Sequence, residues 1–157
     1  MKLALIGVGL IGGSFALALK ARGVVGEVVG VGRSRGNLDE AVANGVIDRA
    51  VLRDGPWVRE LGDADIVLLA TPVGEFPALL AAMPGTLAEG AVVTDGGSTK
   101  QDVVAAARAH LGAALPRFVP AHPIAGTEQS GAGAAFATLF EGRHAVLTPL
   151  PETDATA

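Results

Sequence analysis

Residues 2–20, "KLALIGVGLIGGSFALALK", contain the local patterns that best indicate the fold. The run 2–7 is apolar and short, as in a buried strand, and residues 11–22 have helical spacing and end before Gly23. Between them, residues 7–14 read "GVGLIGGS", which is a G-x-G-x-x-G pattern. Because this pattern follows a predicted strand and opens a predicted helix, it predicts a turn that binds the phosphates of a dinucleotide.

Each glycine of this turn has a separate expected role. Gly7 allows the tight turn, Gly9 lets backbone approach a pyrophosphate, and Gly12 permits close packing of the helix. The first N–H groups of the helix, at Leu10 and Ile11, and the positive end of its dipole would then receive the phosphates. The alternative is a glycine-rich turn that serves packing alone.

The rest of the chain alternates between predicted strands and helices. Strands are expected at 27–31, 64–72, 91–95, 117–120 and 144–148, and helices at 37–44, 76–82, 100–111 and 132–139. Asn37 is expected to cap the second helix and Gly45 to end it. The alternation predicts an α/β fold with a Rossmann-type, mostly parallel sheet and helices on both faces. Residues 1–148 are expected to form one dinucleotide-binding domain, and 149–157 a linker or the start of a helical domain.

Composition narrows the classes of function. The 157 residues hold 12 basic and 16 acidic side chains, a net charge of -4, with no basic cluster of the size that nucleic acid binding needs. The absence of cysteine excludes disulfides, and the three histidines lie too far apart in sequence to suggest a metal motif. The glycines interrupt the apolar N-terminus, which argues against a signal peptide. We expect a soluble cytoplasmic protein without metal, membrane or nucleic acid partners.

The segment "GVGRSRGN", residues 30–37, bears on the choice of cofactor. An acidic residue is expected about 20 positions after the glycine pattern, where it would bind the ribose 2′-hydroxyl of NAD. Arg33, Ser34 and Arg35 stand there instead, and the nearest acids are Glu27 and Asp39. Guanidinium groups suit a 2′-phosphate, so the segment favours NADP. The alternative is that these arginines are solvated and the pocket accepts NAD equally well.

Five motifs, in the order in which they occur along the chain, resemble those of a known protein family. They are "GVGLIGGS" (7–14), "TPV" (71–73), "DGGSTK" (95–100), "HPIAGTEQSG" (122–131) and "LFEGRHAVLTP" (139–149). Together they span nearly the whole chain, and it resembles the prephenate/arogenate dehydrogenase family. The resemblance implies a nucleotide-binding domain followed by a helical domain, which makes a homodimer and completes the substrate site. That helical domain, with its carboxylate-binding arginine, has no counterpart in these 157 positions.

The same resemblance implies roles for individual residues. His122 matches the catalytic histidine, and Ser98 matches a residue between the nicotinamide and that histidine. Thr71 and Pro72 match cofactor contacts, whereas Thr127 and Glu128 match positions that contact substrate or gate the pocket. Thr71 also lies at the end of a predicted strand, and Ser98 and His122 fall just past two others, where ligands bind in open α/β sheets. Alternatively, Ser98 and Thr99 only cap a helix, and Glu128 is a plain surface carboxylate.

The implied reaction is the NAD(P)-dependent oxidative decarboxylation of prephenate to 4-hydroxyphenylpyruvate in tyrosine biosynthesis. A neutral imidazole can accept the ring hydroxyl proton as hydride leaves the same carbon. Arogenate, which carries an amino group in place of the keto group, is an alternative substrate. A non-catalytic dinucleotide-sensing module is a second alternative, although it would not require Ser98 together with His122. A β-hydroxyacid dehydrogenase is a third, and it would take its catalytic lysine from a helical domain.

Overall fold

Six parallel strands form the central sheet of the computed structural model, which describes residues 1–157. In chain order they are β1 (Lys2–Ile6), β2 (Glu27–Gly32), β3 (Arg49–Leu52), β4 (Ile66–Leu69), β5 (Val92–Asp95) and β6 (Phe118–Val119). Their order across the sheet is β3-β2-β1-β4-β5-β6. This is the strand order of dinucleotide-binding Rossmann folds, and it confirms the predicted class.

Helices cover both faces of this sheet. They are α1 (Leu10–Ala21), α2 (Arg35–Ala43), α3 (Phe76–Ala82) and α4 (Lys100–His110). Side chains alternate along β1, so Leu3 and Leu5 pack in one buried cluster with α1 and α2. Ala4 and Ile6 pack in the other, with α3 and α4. None of these helices is long and apolar enough to cross a membrane.

The predicted helix 132–139 is wrong. Only a 3-10 turn at Ala132–Ala134 forms, and Ala135 is already extended, with φ -73° and ψ 140°. The backbone donors here have partners far away in sequence. Ala132 N–H donates to Asn37 Oδ1 at 2.8 Å, and Phe136 N–H donates to Ser14 Oγ at 3.0 Å. These tertiary bonds replace the hydrogen bonds of a regular helix.

The start of α2 and the edge strand β3 also differ from expectation. Ser34, not Asn37, caps α2, since its Oγ accepts a hydrogen bond from Asn37 N–H at 3.3 Å. The Asn37 side chain instead donates to the Val8 carbonyl at 2.7 Å. Gly45 does end α2, with φ +69°. Strand β3 was not predicted, because a partly exposed edge strand of four residues has a weak hydrophobic pattern.

A two-stranded antiparallel sheet lies beside the main one. It pairs β7 (Ala121–Pro123) with β8 (Ala145–Leu147) and sets His122 opposite Val146. The fully buried side chain of Asp95 connects this hairpin to β5. One carboxylate oxygen accepts from Ala121 N–H at 3.2 Å, and the other accepts from Gly97 N–H at 2.8 Å and from the Lys100 ammonium. Lys100 also donates to the Ala121 carbonyl at 2.7 Å.

The last residues of the chain fold back against β6 and α4. The Thr153 hydroxyl donates to the Phe118 carbonyl at 2.9 Å. Arg108 donates to both oxygens of Glu152, at 3.0 and 3.1 Å, and this hydrogen bonding lowers the pKa of Glu152. The division into a domain at 1–148 and a linker at 149–157 stays a prediction.

The turn between β1 and α1 leaves no room for side chains at two glycines. Gly7 has φ +104°, and a Cβ there would lie 2.6 Å from the Ala70 carbonyl oxygen. A Cβ on Gly12 would lie 2.5 Å from the Gly7 carbonyl oxygen and 2.7 Å from Leu5 Cδ1. These contacts confirm the tight turn and the close helix packing expected of the two residues.

We predict that Gly12→Ala lowers the free energy of unfolding by about 1–3 kcal/mol, because the added methyl group forces α1 away from β1. Chemical denaturation measures the change. Gly36→Ala is the matched control: it also lies in a helix, but its Cβ would meet no atom within 4 Å. The control is expected to be neutral or slightly stabilising. Equal effects of the two substitutions would contradict the packing argument.

We also predict that Asp95→Asn lowers the free energy of unfolding by about 1–3 kcal/mol, since it leaves the Lys100 ammonium without its buried counter-charge. Asp102→Asn is the control, because Asp102 lies exposed in the first turn of α4 and should contribute under about 1 kcal/mol. Both changes are read from urea unfolding curves. If Asp95→Asn costs no more than its control, Asp95 does not hold the hairpin.

Candidate cofactor and active site

A pocket of about 230 Å³ opens at the carboxyl ends of β1, β2 and β4. Most of the predicted cofactor-binding residues line it: Gly7, Gly9, Arg33, Ser34, Thr71 and Pro72. A Cβ on Gly9 would meet no atom within 4 Å, so the backbone there faces open space. This is the arrangement in which N–H groups at a helix start can approach a phosphate.

The remaining predicted cofactor residues lie around this pocket but do not line it. Gly12 lies beneath the turn, and Leu10 is buried. Ile11 lines a different cavity, between α1, β5 and the β7–β8 hairpin. Arg35, the first residue of α2, forms an ion pair along its own helix, with its Nε 3.1 Å from Asp39 Oδ1.

Two charged residues of the pocket, Arg53 and Glu75, were not predicted from the sequence. Arg33 Nη1 lies 3.0 Å from Glu75 Oε1, and the other oxygen of Glu75 contacts Arg53. Arg53 and Glu75 line the same pocket as the glycine turn. They come from other parts of the chain, and no local motif marks them. Arg33 therefore already has a carboxylate partner within the chain.

A second cavity, of about 350 Å³, lies between α1, β5 and the β7–β8 hairpin. It is lined mainly by apolar groups, with Arg22, Arg143 and His144 among the polar ones. Ile11, Gly96 and Ala121 line it as well, so it adjoins the segments that carry Ser98 and His122. A larger cavity of about 500 Å³ lies near the amino ends of β4 and β5 and contains none of the predicted residues.

Asp95 brings together the backbones that carry the two predicted catalytic residues. Ser98 is exposed in the turn after β5, and His122 is half-buried in β7. Asp95 accepts hydrogen bonds from Gly97 and Ala121, the residues that directly precede Ser98 and His122. Thr99 occupies the N-cap of α4, but no side chain caps that helix. Asp95 opens the motif "DGGSTK", so a carboxylate at the end of a buried strand was the signal that could have revealed it.

The predicted substrate residues lie elsewhere. Thr127 and Glu128 are exposed on the loop that follows β7. The Thr127 hydroxyl oxygen accepts a hydrogen bond from Gln129 N–H at 3.2 Å, which stabilises a local turn. Neither residue lines the pocket at the glycine turn or the cavity beside the hairpin.

Comparison with known proteins gives consistent matches. Residues 15–157 match the family described as "Prephenate dehydrogenase, nucleotide-binding domain". The chain is 37% identical over 154 residues to prephenate dehydrogenase of Bacillus subtilis (strain 168). The aligned residues make up 98% of this chain and 40% of that protein.

Two solved structures share the fold closely. The crystal structure of prephenate dehydrogenase from Aquifex aeolicus, in complex with hydroxyphenyl propionate and NAD+, has a TM-score of 0.86 and 36% identity, covering 98% of this chain and 52% of that one. Synechocystis arogenate dehydrogenase has a TM-score of 0.84 and 33% identity, covering 99% and 52%.

The chain thus spans about half the length of these relatives, or less. The family match covers most of the chain, and the strand order and glycine turn agree with a nucleotide-binding domain. This chain belongs to the prephenate dehydrogenase family and corresponds to its nucleotide-binding domain.

Proposed function

We propose that this chain binds a nicotinamide dinucleotide and serves as the cofactor domain of an enzyme that converts prephenate to 4-hydroxyphenylpyruvate in tyrosine biosynthesis. The observation that carries the proposal is the double role of Asp95, which fixes the backbones next to Ser98 and His122 at the carboxyl end of β5. The glycine-turn pocket opens at the same end of the sheet. A nucleotide-binding domain with no chemistry to perform would not need a histidine and a serine held there.

His122 is proposed as the general base. It takes the proton of the ring hydroxyl while hydride leaves the carbon that bears this group. A bound nicotinamide would supply the acceptor for that hydride. The Ser98 hydroxyl orients the imidazole and the reacting groups through hydrogen bonds. The bond from the ring to its carboxylate then breaks, CO2 leaves, and the electron pair makes the ring aromatic, which drives the reaction forward. Thr127 and Glu128 are proposed to contact substrate or to gate the pocket.

NADP is the proposed cofactor, with NAD as the alternative. Support for NADP comes from Arg33 and Ser34, which line the pocket, and from Arg35 beside them, since guanidinium groups bind a phosphate strongly. Support for NAD comes from the Aquifex aeolicus relative, whose crystal structure contains NAD+.

Two alternatives to prephenate oxidation stay open. Arogenate dehydrogenase activity is favoured by the similarity to the Synechocystis enzyme, at 33% identity. A dinucleotide-sensing module would require the glycine-turn pocket alone. We further propose that the active assembly is a cytoplasmic homodimer that includes a helical domain, as the family resemblance implies.

We predict that NADP binds this chain at least tenfold more tightly than NAD, a difference of about 1.4 kcal/mol, as expected if guanidinium groups receive the 2′-phosphate. Calorimetric titration of both cofactors at fixed salt measures it. Equal or reversed affinities would change the assignment to NAD. The absence of binding by either cofactor would contradict the phosphate role of the glycine turn.

We predict that His122→Asn lowers kcat of the complete enzyme roughly 100- to 10,000-fold, since the proton acceptor is lost. Cofactor affinity should not change, because His122 does not line the glycine-turn pocket. His110→Asn, at the end of α4, is the control and should retain normal activity. Normal turnover by the His122 variant would refute its role as general base, whereas the absence of turnover in the unaltered complete enzyme would favour the sensing module.

A further inference from the structure

The carboxylate of Glu75 joins two arginines at the wall of the glycine-turn pocket. One oxygen lies 3.0 Å from Arg33 Nη1, and the other contacts Arg53 Nη1. The Glu75 side chain is 19% exposed and that of Arg53 26%, whereas Arg33 is 67% exposed. The more buried pair is thus shielded from water, so its attraction is screened less than that of a surface ion pair.

Three separate strand ends bring these residues together. Arg33 follows β2, Arg53 follows β3, and Glu75 ends the 3-10 turn Val73–Glu75 after β4. Arg53 is fixed by its backbone, whose N–H donates to the Gly32 carbonyl at 2.9 Å. The three side chains line the same pocket as Gly7 and Gly9.

Arg33, Arg53 and Glu75 together resemble a phosphate-binding subsite in which a carboxylate takes the place of the phosphate. Two guanidinium groups facing one carboxylate leave a net positive charge, and both carboxylate oxygens are used. A 2′-phosphate carries up to about two negative charges and offers three acceptor oxygens, so it suits the same pair of arginines. Arg35 is a weaker candidate for the second guanidinium, since it pairs with Asp39 and does not line the pocket.

We propose that Glu75 determines cofactor specificity by competing with a 2′-phosphate for Arg33 and Arg53, and that Arg53 is the second arginine of this phosphate subsite. The proposal rests on dinucleotide binding at the glycine turn. NADP binds by drawing both arginines from Glu75 to its phosphate. NAD, which lacks that phosphate, leaves the ion pairs intact. Glu75 therefore limits the preference for NADP.

The test is calorimetric titration of Glu75→Gln with NADP and NAD at fixed salt. Glu75→Gln keeps the size of the side chain and removes its charge, and we expect NADP to bind roughly tenfold more tightly, because two charge-assisted partners become free. NAD affinity is expected to change less than about twofold, since NAD has no 2′-phosphate for these arginines to bind. Glu75→Ala, which removes the side chain altogether, should act in the same direction. Thermal unfolding of each variant checks that it is folded.

Asp39→Asn is the matched control for charge alone. It removes the same charge from the partner of Arg35, beside the pocket but outside its lining. Its effect on NADP affinity should be clearly smaller than that of Glu75→Gln. In a double-mutant cycle, Arg53→Gln should weaken NADP binding on its own and should remove most of the gain from Glu75→Gln.

Three results would overturn the proposal. The first is an unchanged ratio of NADP to NAD affinity in both Glu75 variants, and the second is a change no larger than that of Asp39→Asn. The third is a full gain from Glu75→Gln when Arg53 is replaced. In each case the unaltered chain still binds a dinucleotide, so the proposed function stands. Failure of the unaltered chain to bind either cofactor would instead refute the proposed function, and this proposal with it.

Discussion

The buried carboxylate of Asp95 is the interaction on which the candidate active site depends. A charge this deeply buried is stable only when it is paired and hydrogen-bonded, and Asp95 meets that condition with Gly97, Lys100 and Ala121. These partners belong to the turn after β5, to α4 and to β7. The need of this carboxylate for hydrogen-bond donors and a counter-charge therefore positions three segments at once. The backbones beside Ser98 and His122 are held because they supply the hydrogen-bond donors that Asp95 needs.

The cofactor pocket is determined by two different kinds of force. Its shape comes from steric contact: at Gly7 and Gly12 a side chain would overlap neighbouring atoms, so the absence of side chains there lets α1 pack closely on β1. Its charge comes from long side chains that converge from β2, β3 and the turn after β4. Packing constrains the first set tightly. The second set can exchange partners with a ligand, and for this reason the proposed discrimination between NADP and NAD lies there.

Much of the fold followed from local patterns. The strand, turn and helix at the N-terminus were predicted closely, because an apolar run and glycines at fixed spacing act over a few residues. Helix α3 was also predicted with the bounds that the structure has. Prediction failed where distant partners decide the backbone. The side chains of Ser14 and Asn37 accept hydrogen bonds from backbone N–H groups in the segment 132–136. The local sequence of that segment does not indicate that these bonds replace those of a helix.

The fold class, the glycine turn and the family could all be inferred from the amino-acid sequence, because they depend on hydrophobic periodicity, on residues that lack a side chain and on the order of motifs. It also identified Arg33, Ser34, Ser98 and His122 as candidates. Which of these side chains have partners depends on how distant segments meet in the folded chain. The Arg33–Glu75–Arg53 cluster and the link from Asp95 to Ala121 join residues far apart in the chain. The order of strands in the sheet brings such residues together. A sequence pattern does not show how far apart the ends of different strands lie in space.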